Sequence, residues 1–328
     1  MATLRLAARP RALHCRCSAA EPPPLPRRAA LSAAALLALR PALPASAAAP
    51  APPSPALLHA VLRVKNLDAA AAFAVDALGM KVLRSRPGNV FVGFGSESGG
   101  KNFSIELART DDGQSSAPGD DFAGLVLAVD NPSKAAAKAA AAGARRASGG
   151  LRCSGDALAG CVVAGASDDL PIPVAFVKAG RGAPPVARVV LLVASLPTAV
   201  AFYTNALGMK QLASQAGVSD RAAEDPAPPA RALLAFSDGA VAVELRQLQG
   251  GPSRAADSAA VSVFDKVAIA VPDLAAAASR VEAAGGGGAL LKQPFAVPGI
   301  GTRVAIARDP DGHVLALVDA ADFEKELL

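Results

Sequence analysis

The chain repeats itself, and this repeat limits the possible folds more than any other feature of the sequence. The segment Leu62–Leu83 (LRVKNLDAAAAFAVDALGMKVL) is similar to Leu191–Leu212 (LLVASLPTAVAFYTNALGMKQL), and both contain the block ALGMK. A second pair of similar segments follows at Phe122–Val129 and Phe264–Val271. Self-similarity of this kind indicates that one structural unit occurs several times. We therefore predict two copies of a domain, each built from two smaller modules.

Each module has the same predicted order of elements. An apolar run typical of a strand comes first, then an alanine-rich amphipathic helix, then about three further strands. The predicted first strands are His59–Val64, Gly124–Val129, Arg188–Val193 and Lys266–Val271. The predicted helices are Asp68–Leu78, Ser133–Ala142, Leu196–Leu207 and Leu274–Ala284, and a glycine follows each of them as a C-cap. Four βαβββ modules with mixed strands predict an α+β fold.

The sequence Asp309-Pro310-Asp311-Gly312 predicts a tight hairpin turn between the last two strands. We expect His313, which follows this turn, to be exposed.

Residues 1–47 are typical of a targeting sequence and not of a folded domain. They contain seven arginines and a single acidic residue, and Arg27-Arg28 precede the apolar run Ala29–Leu39 and the small-residue site Ala45–Ala47. This run is too short for a membrane span, which takes about 20 residues. A transit peptide followed by a twin-arginine signal predicts a chloroplast protein of the thylakoid lumen, with the stroma or a mitochondrion as the alternative. We expect residues 48–56 to be a disordered neck.

The formal net charge of +5 comes from this leader, because the rest of the chain is close to neutral. We therefore expect no nucleic-acid partner, and no integral membrane segment in the mature chain. Two cysteines follow the leader, Cys153 and Cys161. The sequence allows either a disulfide between these two residues or a pair of buried thiols.

Three segments carry a resemblance to a known family. Four βαβββ modules in two pairs are the layout of the vicinal oxygen chelate superfamily, and the segments Leu57–Arg84, Val189–Leu212 and Gly299–Leu327 resemble glyoxalase I (lactoylglutathione lyase), in its plant-type two-domain form. The resemblance implies one glyoxalase-like domain at residues 57–182 and a second at 183–328. Because the two domains are fused, it also implies a monomer that binds a small molecule such as a glutathione adduct.

The resemblance also implies a metal-dependent activity. In this family a divalent metal, nickel or zinc, holds the oxygens of the hemithioacetal of glutathione and methylglyoxal, and a glutamate moves a proton between neighbouring carbons. By position, His59, Glu106 and Glu244 match metal ligands, and Glu106 matches the catalytic glutamate. Arg63 matches the arginine that holds the glutathione carboxylate.

Other ligand positions depart from the family pattern. Gly124 stands at the ligand position of the second module and Arg188 at that of the third, while Lys266 and Ala316 stand at the two positions of the fourth. In the family, each site combines ligands from both domains, so we expect His59 and Glu106 to face Lys266 and Ala316. Lys266 could then replace the metal as a fixed cation.

Two functions therefore stay open. The first is a glyoxalase I-like lyase with a degraded metal site. The second is a non-catalytic small-molecule-binding or scaffold protein with the same fold. Bound metal and turnover of glutathione hemithioacetals would distinguish the first from the second.

Overall fold

The computed structural model describes residues 54–110, 116–117, 121–145, 161–164, 167, 169–213, 230–248 and 261–328. The predicted targeting sequence and Cys153 lie outside these ranges, and the side chain of Cys161 is not described, so the question of a disulfide falls outside the described residues.

The first and second modules occupy the first half of the sequence. Their strands are β1 (Ala56–Val64), β2 (Lys81–Arg86), β3 (Asn89–Gly93), β4 (Ser104–Arg109), the two-residue β5 (Ser116–Ala117), β6 (Phe122–Val129), β7 (Cys161–Ala164) and β8 (Val174–Lys178). Their helices are α1 (Leu67–Asp76) and α2 (Pro132–Ala141).

The third and fourth modules follow the same plan. Their strands are β9 (Val186–Val193), β10 (Lys210–Leu212), β11 (Arg231–Ala235), β12 (Ala242–Gln247), the two-residue β13 (Val261–Ser262), β14 (Phe264–Val271), β15 (Ala289–Ala296), β16 (Arg303–Arg308) and β17 (Val314–Asp319). Their helices are α3 (Leu196–Asn205), α4 (Leu274–Ala283) and α5 (Ala320–Glu326). The predicted α+β class is confirmed.

The four module helices start and stop for the same local reasons. The side chain before each helix accepts a hydrogen bond from a backbone N–H in the first turn, and these N-cap residues are Asn66, Asn131, Ser195 and Asp273. The glycines at positions 79, 143, 208 and 285 all have positive φ, between 60° and 96°. Glycine adopts this left-handed conformation without a steric penalty, so it ends the helix where the sequence predicts.

The strands form two large sheets, and each sheet takes one module from each half of the chain. The eight-stranded sheet has the order β15-β16-β17-β14-β1-β4-β3-β2, and the seven-stranded sheet has the order β10-β11-β12-β9-β6-β8-β7. Antiparallel pairing of β1 with β14 joins the first and fourth modules, and antiparallel pairing of β6 with β9 joins the second and third. Any site on the eight-stranded sheet is therefore shared between the first and fourth modules.

Alternation along the strands gives each sheet two different faces. One face packs against the helices and forms the main apolar core, with Phe73 and Tyr203 among its large side chains. On the opposite face of the eight-stranded sheet, a smaller cluster contains Leu58, Val318 and Phe323. This opposite face carries the candidate site.

Some elements were not predicted from the sequence. β2 and β15 lie at the two edges of the eight-stranded sheet, where mostly exposed side chains remove the alternation of apolar and polar residues. α5 is a short helix, and the Asp319 side chain accepts hydrogen bonds from the N–H groups of Ala321 and Asp322 at its start. Within the described ranges, no helix is both long enough and apolar enough to cross a bilayer.

Candidate ligand cavity

A cavity of about 810 Å³ opens on the face of the eight-stranded sheet that points away from α1 and α4. This volume is within the range of small-molecule sites, about 300 to 1,000 Å³. His59 and Glu106 from the first module line it together with Lys266 and Ala316 from the fourth. These are the four positions that the family resemblance predicts to face one another.

Strand register explains why these four side chains meet. His59 on β1 lies opposite Ala268 on β14, which lies opposite Ala316 on β17. Two residues further along β1, Val61 lies opposite both Lys266 and Glu106. Side chains two apart on a strand point to the same face, so both rows point into the cavity.

The polar side of the cavity is built around Glu106. Its Oε2 lies 3.2 Å from His59 Nε2, and Asn89 Nδ2 donates a hydrogen bond to its Oε1. Burial alone would raise the pKa of Glu106, but His59, Lys266 and Asn89 favour the carboxylate and hold that pKa below its ordinary value. Glu106 is therefore an ionised carboxylate with both oxygens in polar contacts.

His59 is almost fully buried and packs edge-on against Phe91, with 5.4 Å between ring centroids. Its Nδ1 atom is buried and has no hydrogen-bond partner among the described residues. The imidazole is therefore positioned by packing on one side and by Glu106 on the other.

Lys266 forms its ion pair with Asp265, not with Glu106. Arg63 binds the other oxygen of the same carboxylate, so two cations share Asp265. The charge of Lys266 reaches Glu106 through space and helps to keep it ionised. Arg63 is not among the residues that line the cavity, and its side chain is about 37% exposed.

The residues present do not fit a divalent metal. Catalytic metals usually have three or more protein ligands, and of the four family positions only His59 and Glu106 carry such a donor. Glu326 also lines the cavity, but its carboxylate is paired with arginine side chains. Lys266 brings a positive charge to the opposite side and Ala316 brings no donor atom. In the parts of the chain that the structure describes, no cluster of three His, Cys, Asp or Glu residues could hold a metal ion.

On the seven-stranded sheet, Glu244 stands at the position that corresponds to Glu106, and arginine side chains surround it. Glu244 is fully buried, with its Oε1 2.7 Å from Arg246 Nε and its Oε2 3.1 Å from the Arg188 guanidinium. Burial alone would raise the pKa of Glu244, but Arg246, Arg188 and Arg231 outweigh it and lower that pKa. On the facing strand, Gly124 has a φ of 132° beside a break in the register. Glu244 is thus bound by guanidinium groups, where the resemblance places a metal.

The expectation that His313 is exposed is wrong. This residue is almost completely buried, with Nδ1 2.7 Å from Asp309 Oδ2 and Nε2 2.9 Å from the backbone oxygen of Asp121. The Tyr203 hydroxyl also donates to Asp309, across 3.1 Å. The DPDG turn folds inward against α3 and the start of β6, and a turn sequence by itself does not reveal such packing.

A family model described as Glyoxalase/Bleomycin resistance protein/Dioxygenase superfamily matches residues 56–149 and 186–317, more than half of the chain. The chain belongs to this superfamily. Both matched ranges contribute strands to the cavity of this glyoxalase-superfamily protein, since β1 to β4 lie in the first range and β14 to β17 lie almost wholly in the second.

Relatives of this glyoxalase-superfamily protein extend over both halves of the chain. Lactoylglutathione lyase of Oryza sativa subsp. japonica is 32% identical over 282 residues, covering 83% of this chain and 91% of the relative. A chloroplastic Arabidopsis thaliana protein, described as a probable lactoylglutathione lyase, is 29% identical over 287 residues, covering 83% of this chain and 75% of the relative.

A solved structure gives the same result. Glyoxalase I from Zea mays superposes with a TM-score of 0.67 at 29% identity, covering 84% of this chain and 95% of that chain. The predicted glyoxalase I-like, two-domain fold is confirmed.

Proposed function

We propose that this glyoxalase I-like protein binds a small molecule in the cavity between its first and fourth modules, without metal-dependent catalysis there. The observation that carries the proposal is the pairing across the cavity: His59 and Glu106 face Lys266 and Ala316. His59 and Glu106 match metal ligands of the family by position, and the facing positions carry an ammonium group and a methyl group. The cavity itself keeps the volume of a ligand site.

The chemistry of Glu106 supports binding over proton transfer. A general base works best when its pKa is near the working pH. The neighbours of Glu106 lower its pKa instead, and Asn89 and His59 contact its two oxygens. This carboxylate is therefore poorly suited to removing a proton from carbon.

The alternative is a metal-dependent lyase that isomerises the glutathione–methylglyoxal hemithioacetal or a related substrate. Its support is the full-length similarity to lactoylglutathione lyase and the retention of His59, Glu106 and Arg63. In this alternative a nickel or zinc ion would have only His59 and Glu106 as ligands from the four family positions in this cavity.

Binding can be tested with the neutral fluorescent dye Nile red as a probe. We expect saturable binding that Ala316→Phe abolishes, because the new ring fills the space above β17. Val82→Phe is the matched control, since Val82 is exposed on β2 and is not among the residues that line the cavity. Equal binding by wild type and Ala316→Phe would reject the cavity as the site.

Turnover distinguishes the two functions. Lactoylglutathione formation is measured with added nickel or zinc, for wild type and for Glu106→Gln. We expect no difference between the two proteins. A rate that requires the metal and is lost in Glu106→Gln would establish the lyase.

We also propose that the protein works in the plastid and is exported to the thylakoid lumen. Residues 1–47 and the chloroplastic Arabidopsis relative support this proposal. Import of a fluorescent fusion tests it. Lysine in place of Arg27 and Arg28 should leave the fusion in the stroma if a twin-arginine signal operates.

A further inference from the structure

The walls of the cavity differ sharply between the two modules that form it. The first module supplies polar side chains, including Asn89 and Glu106. Most lining residues of the fourth module offer only apolar side chains or backbone, among them Ile306 and Ile300. The exceptions are Lys266, Thr302 and Glu326, and the Glu326 carboxylate is already paired with arginine side chains. A ligand that matches both walls needs a polar end and an apolar body.

The apolar wall continues to the surface. Ile300, in the turn after β15, lines the cavity and is about 41% exposed, and Phe295 at the end of β15 is about 36% exposed. Exposed apolar side chains at the opening of a cavity are typical of sites that accept an apolar molecule. The opening should therefore admit an apolar ligand body more readily than a strongly hydrated group.

The polar end is defined by unequal pairing of charges. Glu106 is held by His59 and Asn89, while Lys266 and Arg63 share the single carboxylate of Asp265. Lys266, Arg63 and Asp265 together carry one positive charge, which the Glu106 carboxylate balances through space, although the Lys266 ammonium pairs with Asp265 and not with Glu106. Among the hydrogen bonds of the described residues, the Lys266 ammonium donates only one, to Asp265, although it has three N–H groups.

We propose that the ligand is an amphiphile with an apolar body and an oxyanion head, such as a carboxylate, that binds Lys266. The head lies where the fourth module carries a lysine in place of a ligand residue, and the body lies on the apolar wall of the fourth module. This inference rests on the proposed function, because it names the class of molecule that the same cavity binds.

The test is displacement of Nile red by octanoate, octanol and octylamine. We expect octanoate to bind about tenfold more tightly than octanol, a difference of about 1.4 kcal/mol, and octylamine to bind most weakly. Lys266→Gln should remove the preference for octanoate, and Lys266→Arg should keep it. Lys210→Gln, on the other sheet, is the matched control and should have no effect.

The apolar contact is tested separately. Ile300→Ser should weaken octanoate and octanol equally, because it shortens the apolar wall and leaves the charge in place. If octanol or octylamine binds as well as octanoate, or if Lys266→Gln leaves the preference unchanged, the oxyanion assignment is wrong. Dye binding that Ala316→Phe blocks would still support the proposed function in that case, and loss of that blocking would reject both.

Discussion

Lys266 and Ala316 are the two residues that decide what the cavity can hold. Both face His59 and Glu106, and neither offers a metal a donor at neutral pH. We predict that the double variant Lys266→Gln, Ala316→Glu binds about one nickel or zinc ion per chain, since it restores four ligands. Isothermal titration with each metal measures this.

The single variant Ala316→Glu is the control for this prediction. Its new carboxylate would pair with Lys266, so we expect no stoichiometric metal. A folded double variant that fails to bind metal would show that the four side chains do not converge as the strand register indicates.

The buried carboxylate of Glu244 should contribute to the stability of the fold. It is fully buried between Arg188 and Arg246, and loss of its charge would remove a buried carboxylate that both guanidinium groups contact. Glu244→Gln should therefore lower the free energy of unfolding by about 3 kcal/mol or more. Urea denaturation measures it, with the exposed Glu282→Gln as a control expected to stay within about 0.5 kcal/mol of wild type. A similar small effect for Glu244→Gln would contradict the structural role given to this carboxylate.

The candidate site could be predicted from the sequence only in part. Matching by position was enough to select His59, Glu106, Lys266 and Ala316, since motif order fixes these places along the chain. It could not assign Asp265 as the partner of Lys266. That pairing depends on where a long, flexible side chain points, which the sequence does not encode locally.

At the scale of elements, the β16–β17 hairpin carries a buried ionic cluster. His313 contacts the Asp309 carboxylate through one ring nitrogen and the backbone oxygen of Asp121 through the other. Both nitrogens face acceptors, so both act as donors only when the ring is protonated. Burial alone would lower the pKa of His313, but Asp309 and Asp121 outweigh it and raise that pKa above 6.5.

This cluster predicts a pH-dependent stability. A raised pKa in the folded state means that the protonated ring stabilises the fold below about pH 6.5, and that this stabilisation is lost as pH rises through the folded pKa. The loss of unfolding free energy caused by His313→Gln should therefore be larger at pH 6 than at pH 9. Denaturation of both proteins at the two pH values measures this. A cost that is equal at both pH values would show that the ring is neutral in the fold.

Helices and edge strands differ in how well the sequence predicts them. The module helices were predictable because a capping side chain begins each and a glycine ends each. β2 and β15 were not, because edge strands expose side chains on both faces and need no apolar alternation. The same exposure places Phe295 at the opening of the cavity.

At the scale of the whole molecule, neither large sheet is made by one half of the chain alone. The pairs β1–β14 and β6–β9 each join a module from one half to a module from the other. We predict that residues 57–182 and 183–328, produced separately, do not form folded monomers, and that they assemble when produced together. Circular dichroism and analytical ultracentrifugation measure this. A cooperative unfolding transition from either half as a monomer would contradict it.

We propose that the cavity of this glyoxalase-superfamily protein binds its ligand without a metal. The most direct measurement is the metal content of the chain from Ala48 onward, after incubation with nickel or zinc and removal of free ions, for wild type and His59→Ala. We predict far less than one ion per chain, with the same value in both proteins. A content near one ion per chain that disappears in His59→Ala would contradict it and favour the lyase.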